Sequence, residues 1–125
     1  MSIRPTNSEL EILQIIWKKG SCTVREVNEE LSKEKGSEIG YTTTLKLMQI
    51  MHEKGLLERE TDSRTHVYRA LISRDKTSQT LLNSLIDSVF NGSAAQMIMQ
   101  ALGNKQASRE EIDMIRKYLD DLDKK

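Results

Sequence analysis

Residues 23–55 read TVREVNEELSKEKGSEIGYTTTLKLMQIMHEKG, and this stretch decides the fold of the first half of the chain. Thr23 and Glu26 have the spacing of a capping box, which predicts the start of a helix with one apolar side. The polar loop 34–40 contains two glycines and ends that helix, and a second helix is expected over residues 40–54. Two short helices joined by a polar loop are the pattern of a helix-turn-helix.

The flanking sequence supplies the remaining parts of a winged-helix domain. Upstream, Thr6 and Glu9 form another capping box before a helix that has its apolar residues on one face. Downstream of the second helix, the apolar period changes to alternation, which predicts two strands with a turn at residues 62–64. Three helices followed by a hairpin are the order of a winged helix-turn-helix, which we expect over residues 1–72.

The spacing of apolar residues in 73–125 predicts three more helices. Their apolar stripes have too few residues to enclose a core alone. Breaks are expected at Asn91-Gly92-Ser93 and at Gly103-Asn104, and a capping box at Ser108 opens the last helix. The expected fold is therefore mainly α with a small β-hairpin, ending in a three-helix dimerisation arm. Two-fold homodimers are the commonest oligomers, and the candidate dimer contacts are Leu81, Leu82, Leu85, Ile86, Val89, Ile112, Ile115 and Leu119.

The composition argues against an enzyme or a metalloprotein. Aromatic residues are 4% of the 125 residues, so aliphatic side chains and six methionines must fill the core. The single Cys22 cannot form an intrachain disulfide, and with two separated histidines it makes no recognisable metal site. No residue lies in the sequence context of a catalytic nucleophile. We expect no catalytic residue, no cofactor and no metal.

The distribution of apolar residues also bears on location. No apolar run approaches the ~20 residues that a membrane span needs. The first five residues lack the apolar core of a signal peptide. A cytoplasmic protein with no membrane partner is expected.

Net charge gives no support to nucleic-acid binding. Nineteen basic residues balance nineteen acidic ones, whereas a dedicated nucleic-acid binder is often basic. Dividing the chain after Ala70 leaves each part close to neutral. Any attraction to phosphate must therefore come from the local placement of charge.

The second helix of the pair carries the candidate DNA contacts, because residues near the start of such a helix reach base edges in the major groove. Threonine can bond to bases or phosphate, lysine to guanine or phosphate, and glutamine suits adenine. An apolar residue on this side fits a thymine methyl group. The alternatives are that the threonines only start the helix and that the leucine packs against the first helix. The candidates are Thr42, Thr43, Leu45, Lys46 and Gln49.

The hairpin tip and the start of the first helix of the pair offer further contacts. Arg64 lies at the tip, where it can touch phosphate or the minor groove; a solvated turn charge is the alternative. Ser21 and Thr23 can donate to phosphate at a helix N-terminus, although capping already accounts for them.

Five stretches, in this order and spacing, resemble the BlaI/MecI/CopY family of penicillinase-type repressors. They are PTNSELEILQIIWKKGSCTVREVNEEL (5–31), YTTTLKLMQIMHEKGLLERE (41–60), THVYRALISRD (65–75), VFNGS (89–93) and SREEIDMIRKYLDDL (108–122). The resemblance implies a winged-helix domain, a three-helix dimerisation arm, and repression by binding a two-fold symmetric operator.

The resemblance also implies ways in which release can differ. In β-lactam-responsive members, a membrane sensor pathway triggers proteolysis at an Asn-Phe bond in the dimerisation arm. The equivalent bond here is Gln100-Ala101, so that cleavage signature is absent. Copper-responsive members bind metal through a C-terminal cysteine motif, and this sequence has no cysteine there. Leu45, Lys46 and Ile50 replace the Gln, Thr and Arg that the family commonly has in the recognition helix.

The sequence thus predicts a DNA-binding transcriptional repressor that acts as a homodimer on a palindromic operator and is released by an unidentified signal. Double-stranded DNA, a second copy of the chain and a sensor or protease pathway are the expected partners. The alternative is a winged-helix protein-interaction module without sequence-specific DNA binding, which the zero net charge and the apolar Leu45 and Ile50 support. An RNA-binding role ranks third, because no aromatic platform for base stacking is evident.

Overall fold

A computed structural model describes residues 4–61, 64–104 and 107–124 of the chain. The helices and strands of these residues follow the order expected from the sequence, with one additional strand. They are α1 (Asn7–Lys19), β1 (Cys22–Thr23), α2 (Val24–Lys35), α3 (Tyr41–Glu53), β2 (Leu57–Glu60), β3 (Val67–Ala70), α4 (Arg74–Val89), α5 (Ala94–Gly103) and α6 (Arg109–Asp123).

Three helices begin at the capping boxes that the sequence predicts. Thr6, Thr23 and Ser108 each accept a hydrogen bond from the backbone N–H three residues further on. The glutamate at that position accepts one from the backbone N–H of the capping residue. Such a cap stabilises a helix by ~1 kcal/mol, which is enough to fix where a short helix starts.

The hairpin is part of a three-stranded antiparallel sheet with the order β1-β3-β2. In the hairpin, Leu57 pairs with Ala70. The third strand, β1, adds to the predicted hairpin, because Cys22 pairs with Tyr68 of β3. A two-residue strand leaves no alternation in the sequence, so the pattern could not predict it.

The core of the N-terminal part lies between α1, α2, α3 and the sheet. Its aliphatic side chains come from every one of these elements, and Tyr68 closes it on the sheet side. The buried members are Ile12, Leu13, Ile15, Ile16, Cys22, Val24, Val27, Leu31, Met48, Met51, Leu56, Leu57 and Tyr68.

An ion pair joins the start of α1 to the end of α3. Lys54 Nζ donates to both carboxylate oxygens of Glu9, at 2.7 and 3.0 Å, and the Thr6 backbone N–H donates to the same group at 2.8 Å. Glu9 is 2% exposed. Burial by itself raises the pKa of Glu9, but the hydrogen bonds from Lys54 and Thr6 outweigh it and hold the pKa below its usual value. The ion pair thereby holds the C-terminal end of α3 against the start of α1.

The chain divides into two compact units, Met1–Gln79 and Thr80–Lys125. The boundary falls inside α4, a few residues after the domain boundary expected at Ile72. The assignment of residues 1–72 to DNA binding and 73–125 to dimerisation stays a prediction. No helix among the described residues is long and apolar enough to cross a bilayer.

The C-terminal unit exposes its apolar stripes. Neither α5 nor α6 has a buried residue among those described. The predicted break between α4 and α5 is present, with Asn91 and Gly92 in the left-handed region at φ 51° and 84°. Of the candidate dimer contacts, half are exposed (Leu82, Leu85, Val89, Leu119) and half are partly buried (Leu81, Ile86, Ile112, Ile115).

Candidate nucleic-acid interface

One side of α3 faces the core and the other is exposed. Thr44, Met48 and Met51 are buried on the inner side. Six exposed residues lie within about a third of the helix circumference, because each residue advances by ~100°. They are Thr42, Thr43, Lys46, Gln49, Ile50 and Glu53, while the exposed Tyr41 lies outside this sector. Four of the sequence-predicted contacts therefore share one surface.

Polar side chains of α2 hold the loop that precedes α3. Asn28 Nδ2 donates to the Ile39 carbonyl oxygen and to Thr44 Oγ1, both at 2.9 Å. Ser32 Oγ accepts from the Ile39 backbone N–H at 3.0 Å. Because Thr44 is fully buried, these bonds set the direction in which α3 leaves the loop.

The N-terminus of α3 has no side-chain cap. Gly40 occupies the capping position and makes no side-chain hydrogen bond to the helix. The first backbone N–H groups of an uncapped helix carry partial positive charge, which suits a phosphate oxygen. The end of α3 that carries Thr42 and Thr43 is therefore also the end that favours an anion.

A groove of about 520 Å³ opens between the start of α2, the start of α3 and the β2–β3 hairpin. Its basic lining residues are two arginines and one histidine, and no carboxylate lines it among the described residues. Positive charge is thus concentrated here although the chain is neutral overall. The exposed lining includes Arg25, Tyr41, Arg64, Thr65 and His66, with Leu45 at its base.

Three carboxylates of the neighbouring elements have partners of their own. Glu58 and Glu60 lie 3.7 and 3.6 Å from Arg69 on the sheet. Glu26 accepts from the Thr23 backbone N–H at 2.9 Å, and this hydrogen bond, as the largest cause, lowers the pKa of Glu26. The carboxylate next to Arg25 in sequence therefore serves the helix cap.

The two apolar residues outside the inward stripe of α3 differ in their surroundings. Leu45 is partly buried and packs against the core, while it also lines the groove. Ile50 is 38% exposed and is not among the partly buried residues packed on that core. Ile50 is therefore the more open of these two apolar residues of α3.

Sequence reasoning missed several residues of this groove. Arg25, Tyr41, Thr65 and His66 were not among the predicted contacts. The position of Arg25, two residues after the capping Thr23, was an available signal, since a helix start is an anion site. Arg64 is exposed and lines the groove, and its contact with phosphate or the minor groove stays a prediction. The other turn residues, Asp62 and Ser63, lie outside the described part of the chain.

Two further features bear on metal binding and thiol chemistry in the described part of the chain. No group of three or more His, Cys, Asp or Glu side chains there is placed to hold a metal ion. Cys22 is 1% exposed, and burial, with a smaller effect from Glu26, raises the pKa of its thiol. A buried thiol that stays protonated is neither a nucleophile nor a metal ligand.

Comparison with known proteins agrees with this geometry. The family model described as penicillinase repressor matches residues 5–121. The penicillinase repressor of Bacillus licheniformis is 30% identical over 116 residues, covering 93% of this chain and 89% of that protein. The penicillinase repressor of Staphylococcus aureus is 27% identical over 122 residues, covering 94% and 92%.

Solved structures give the same family and fold. The solution structure of the DNA-binding domain of the repressor BlaI is 30% identical, with a TM-score of 0.50, and covers 59% of this chain and 90% of that one. A MarR mutant from E. coli complexed with operator DNA shares the fold at 16% identity and a TM-score of 0.54, covering 94% and 75%. This chain therefore belongs to the penicillinase repressor family, whose members are DNA-binding transcriptional repressors and not enzymes.

Proposed function

We propose that the protein represses transcription by binding a palindromic operator as a homodimer. The observation that carries the proposal is the exposed polar face of α3 beside a groove whose lining includes Arg25, Arg64 and His66 and, within the described part of the chain, no carboxylate. The penicillinase repressors that the chain resembles over most of its length support it.

We assign the contacts with base edges to α3. With this helix in the major groove, Lys46 reaches guanine O6 or N7, and Gln49 pairs with adenine. Thr42 and Thr43, at the start of the helix, reach bases or the nearest phosphates. All four side chains are exposed on one face, so they can act on neighbouring base pairs at the same time.

Phosphate contacts fall to the groove. Arg25 and Arg64 line it from opposite elements, α2 and the hairpin. A DNA strand that passes between the hairpin and α2 would meet both guanidinium groups. These contacts position the protein without reading sequence, and they release counterions, so binding must weaken as salt rises.

Dimerisation falls to the C-terminal unit. Leu85 and Leu119 are 43% and 54% exposed in the single chain, and α5 and α6 have no buried residue among those described. A second copy would cover these stripes. It would also make the second half-site contact intramolecular, which raises its effective concentration.

Release follows a signal that acts on the dimer or on its DNA contacts. Gln100 and Ala101, which stand at the position of the family's cleavage bond, are exposed but lie inside α5. A protease needs an extended segment, so a sensor or protease pathway acting at this bond would first have to unwind α5.

In vitro selection from a random duplex library tests the proposal. The full chain should recover a two-fold palindrome whose half-sites lie about one helical turn, or a multiple of it, apart. Lys46→Ala should weaken binding to that palindrome by about 1–3 kcal/mol and relax one base position. Lys33→Ala, which removes an exposed lysine near the end of α2, is the control and should change neither.

Two outcomes would contradict the proposal. Recovery of no motif, with weak binding that depends little on salt, would favour a protein-interaction module. Equal loss of affinity by Lys46→Ala on every duplex would make Lys46 a phosphate contact and move base reading to other residues of α3.

A further inference from the structure

We propose that Ile50 reads the C5-methyl group of a thymine in each half-site of the operator. The inference rests on the proposed function, since it requires α3 to lie in the major groove of DNA. It concerns which base the protein prefers, and it assigns this preference to a residue that departs from the pattern of the family.

The position of Ile50 on α3 is the first argument. It lies on the exposed face, one turn beyond Lys46 and two turns beyond Thr43. Residues three, four and seven apart in a helix lie above one another, so these three side chains form one row. Reading helices such as that of the homeodomain contact bases from positions spread over two turns, and the row on α3 has the same extent.

The exposure of Ile50 is the second argument. The side chain is 38% exposed, whereas Leu45 and Leu47 on the same helix pack against the core. Core packing therefore accounts for the other two aliphatic residues near this face but not for Ile50. Among base edges in the major groove, the thymine methyl is the group that an aliphatic side chain can contact favourably.

The surroundings of Ile50 favour DNA over a protein partner. Its helical neighbours one turn away are Lys46, Glu53, Lys54 and the partly buried Leu47. A protein-binding patch usually needs several hundred Å² of contiguous apolar surface. One exposed isoleucine among charged side chains offers far less, but it is sufficient for a single methyl group.

The rise of the helix places the thymine. Lys46 and Ile50 are four residues apart, which is ~6 Å along the helix axis. Base pairs are stacked 3.4 Å apart, so the two side chains should reach positions about two base steps apart. The thymine read by Ile50 is expected at that distance from the base that Lys46 specifies.

The test removes the methyl group from the DNA and the side chain from the protein. In the palindrome obtained by selection, each thymine is replaced in turn by deoxyuridine, and the dissociation constant is measured for the wild-type chain. One position per half-site should lose about fourfold in affinity, as expected for one methyl-sized contact. Ile50→Ala should bind the thymine duplex more weakly and show no further loss at that position. Gln49→Ala, its neighbour on the same face, should keep the fourfold loss.

Each possible result either supports or contradicts the contact between Ile50 and a thymine methyl group. If Ile50→Ala keeps the full sensitivity to deoxyuridine at every position, or if the half-site contains no thymine, the methyl contact is wrong while sequence-specific repression stands. If selection recovers no motif, the proposed function fails and this inference fails with it. A thermal melt of Ile50→Ala close to that of wild type, expected for an exposed side chain, separates loss of contact from loss of fold.

Discussion

Replacing Lys54 with methionine should destabilise the N-terminal unit by about 2 kcal/mol. The substitution removes the ammonium group that donates to both carboxylate oxygens of Glu9, at 2.7 and 3.0 Å. It leaves a carboxylate that is 2% exposed without its counter-charge. Unfolding restores water to that carboxylate, so the free energy of unfolding must fall.

The magnitude follows from the burial of the two partners. Breaking a fully buried ion pair costs ~3–5 kcal/mol, and a single hydrogen bond to a charged group is worth ~1.5–3 kcal/mol. The Lys54 side chain is 34% exposed, and the Thr6 backbone N–H still donates to Glu9 in the variant. The expected cost of Lys54→Met therefore lies in the lower of the two ranges, that of a single hydrogen bond to a charged group.

The effect of pH gives a second readout. The folded-state pKa of Glu9 lies below its ordinary value of 4.5, so the ionised group contributes stability above that pH, and this is lost as pH falls through the folded pKa. In Lys54→Met, the interactions with Lys54 no longer oppose the effect of burial on the pKa of Glu9. Protonation of Glu9 therefore costs the variant less stability than it costs the wild type. The difference in stability between wild type and variant should shrink below about pH 4.

Urea unfolding followed by circular dichroism measures both effects. Lys35→Met is the matched control, because Lys35 of α2 pairs with Glu11 at 3.0 Å, and Glu11 lies in α1 as Glu9 does. Both side chains of this control pair are more than 40% exposed. An exposed pair contributes ~0–1 kcal/mol. The reasoning is refuted if Lys54→Met costs no more than Lys35→Met, or if its cost is the same at pH 7 and pH 3.

Three further predictions concern the DNA groove, the thiol and the dimer. Arg25→Ala and Arg64→Ala should each lower the slope of log affinity against log salt by ~0.9, equally on operator and scrambled duplex, since each removes one phosphate contact; a loss confined to one base position would contradict this. Cys22 should react with a thiol reagent only on unfolding, because it is buried with a raised pKa, and rapid labelling of the folded chain would disprove its burial. Leu85→Ala and Leu119→Ala should each weaken the dimer by ~2 kcal/mol or more in sedimentation equilibrium, whereas an unchanged monomer–dimer equilibrium would exclude these side chains from the interface.

Local signals in the sequence predicted most of the helix boundaries. The three capping boxes at Thr6, Thr23 and Ser108 are confirmed, because a capping box is made by residues only three apart. The helix order and the hairpin were predictable for the same reason, since apolar periodicity is a property of short segments.

Contacts between distant segments escaped the sequence analysis. Glu9 and Lys54 are 45 residues apart, and nothing in either local pattern marks them as partners. The groove brings Arg25 next to Arg64 only once the sheet and α2 are packed. A zero net charge therefore said nothing about where positive charge is concentrated.

Leu45 and Ile50 illustrate the same limit within one helix. Periodicity marks both as departures from the inward stripe, and it does not show which of the two is covered by other elements. Leu45 is covered because it packs against the core, whereas Ile50 remains open. What separates them is the tertiary neighbourhood on each flank of α3, which a one-dimensional pattern does not contain.

The central claim is tested most directly by one ratio of dissociation constants at near-physiological salt. The full chain is titrated against the selected palindrome and against a duplex of the same composition with both half-sites scrambled. A dimeric repressor should prefer the palindrome by ~10³-fold or more, the range of specific over non-specific DNA binding. A ratio near one would contradict sequence-specific repression.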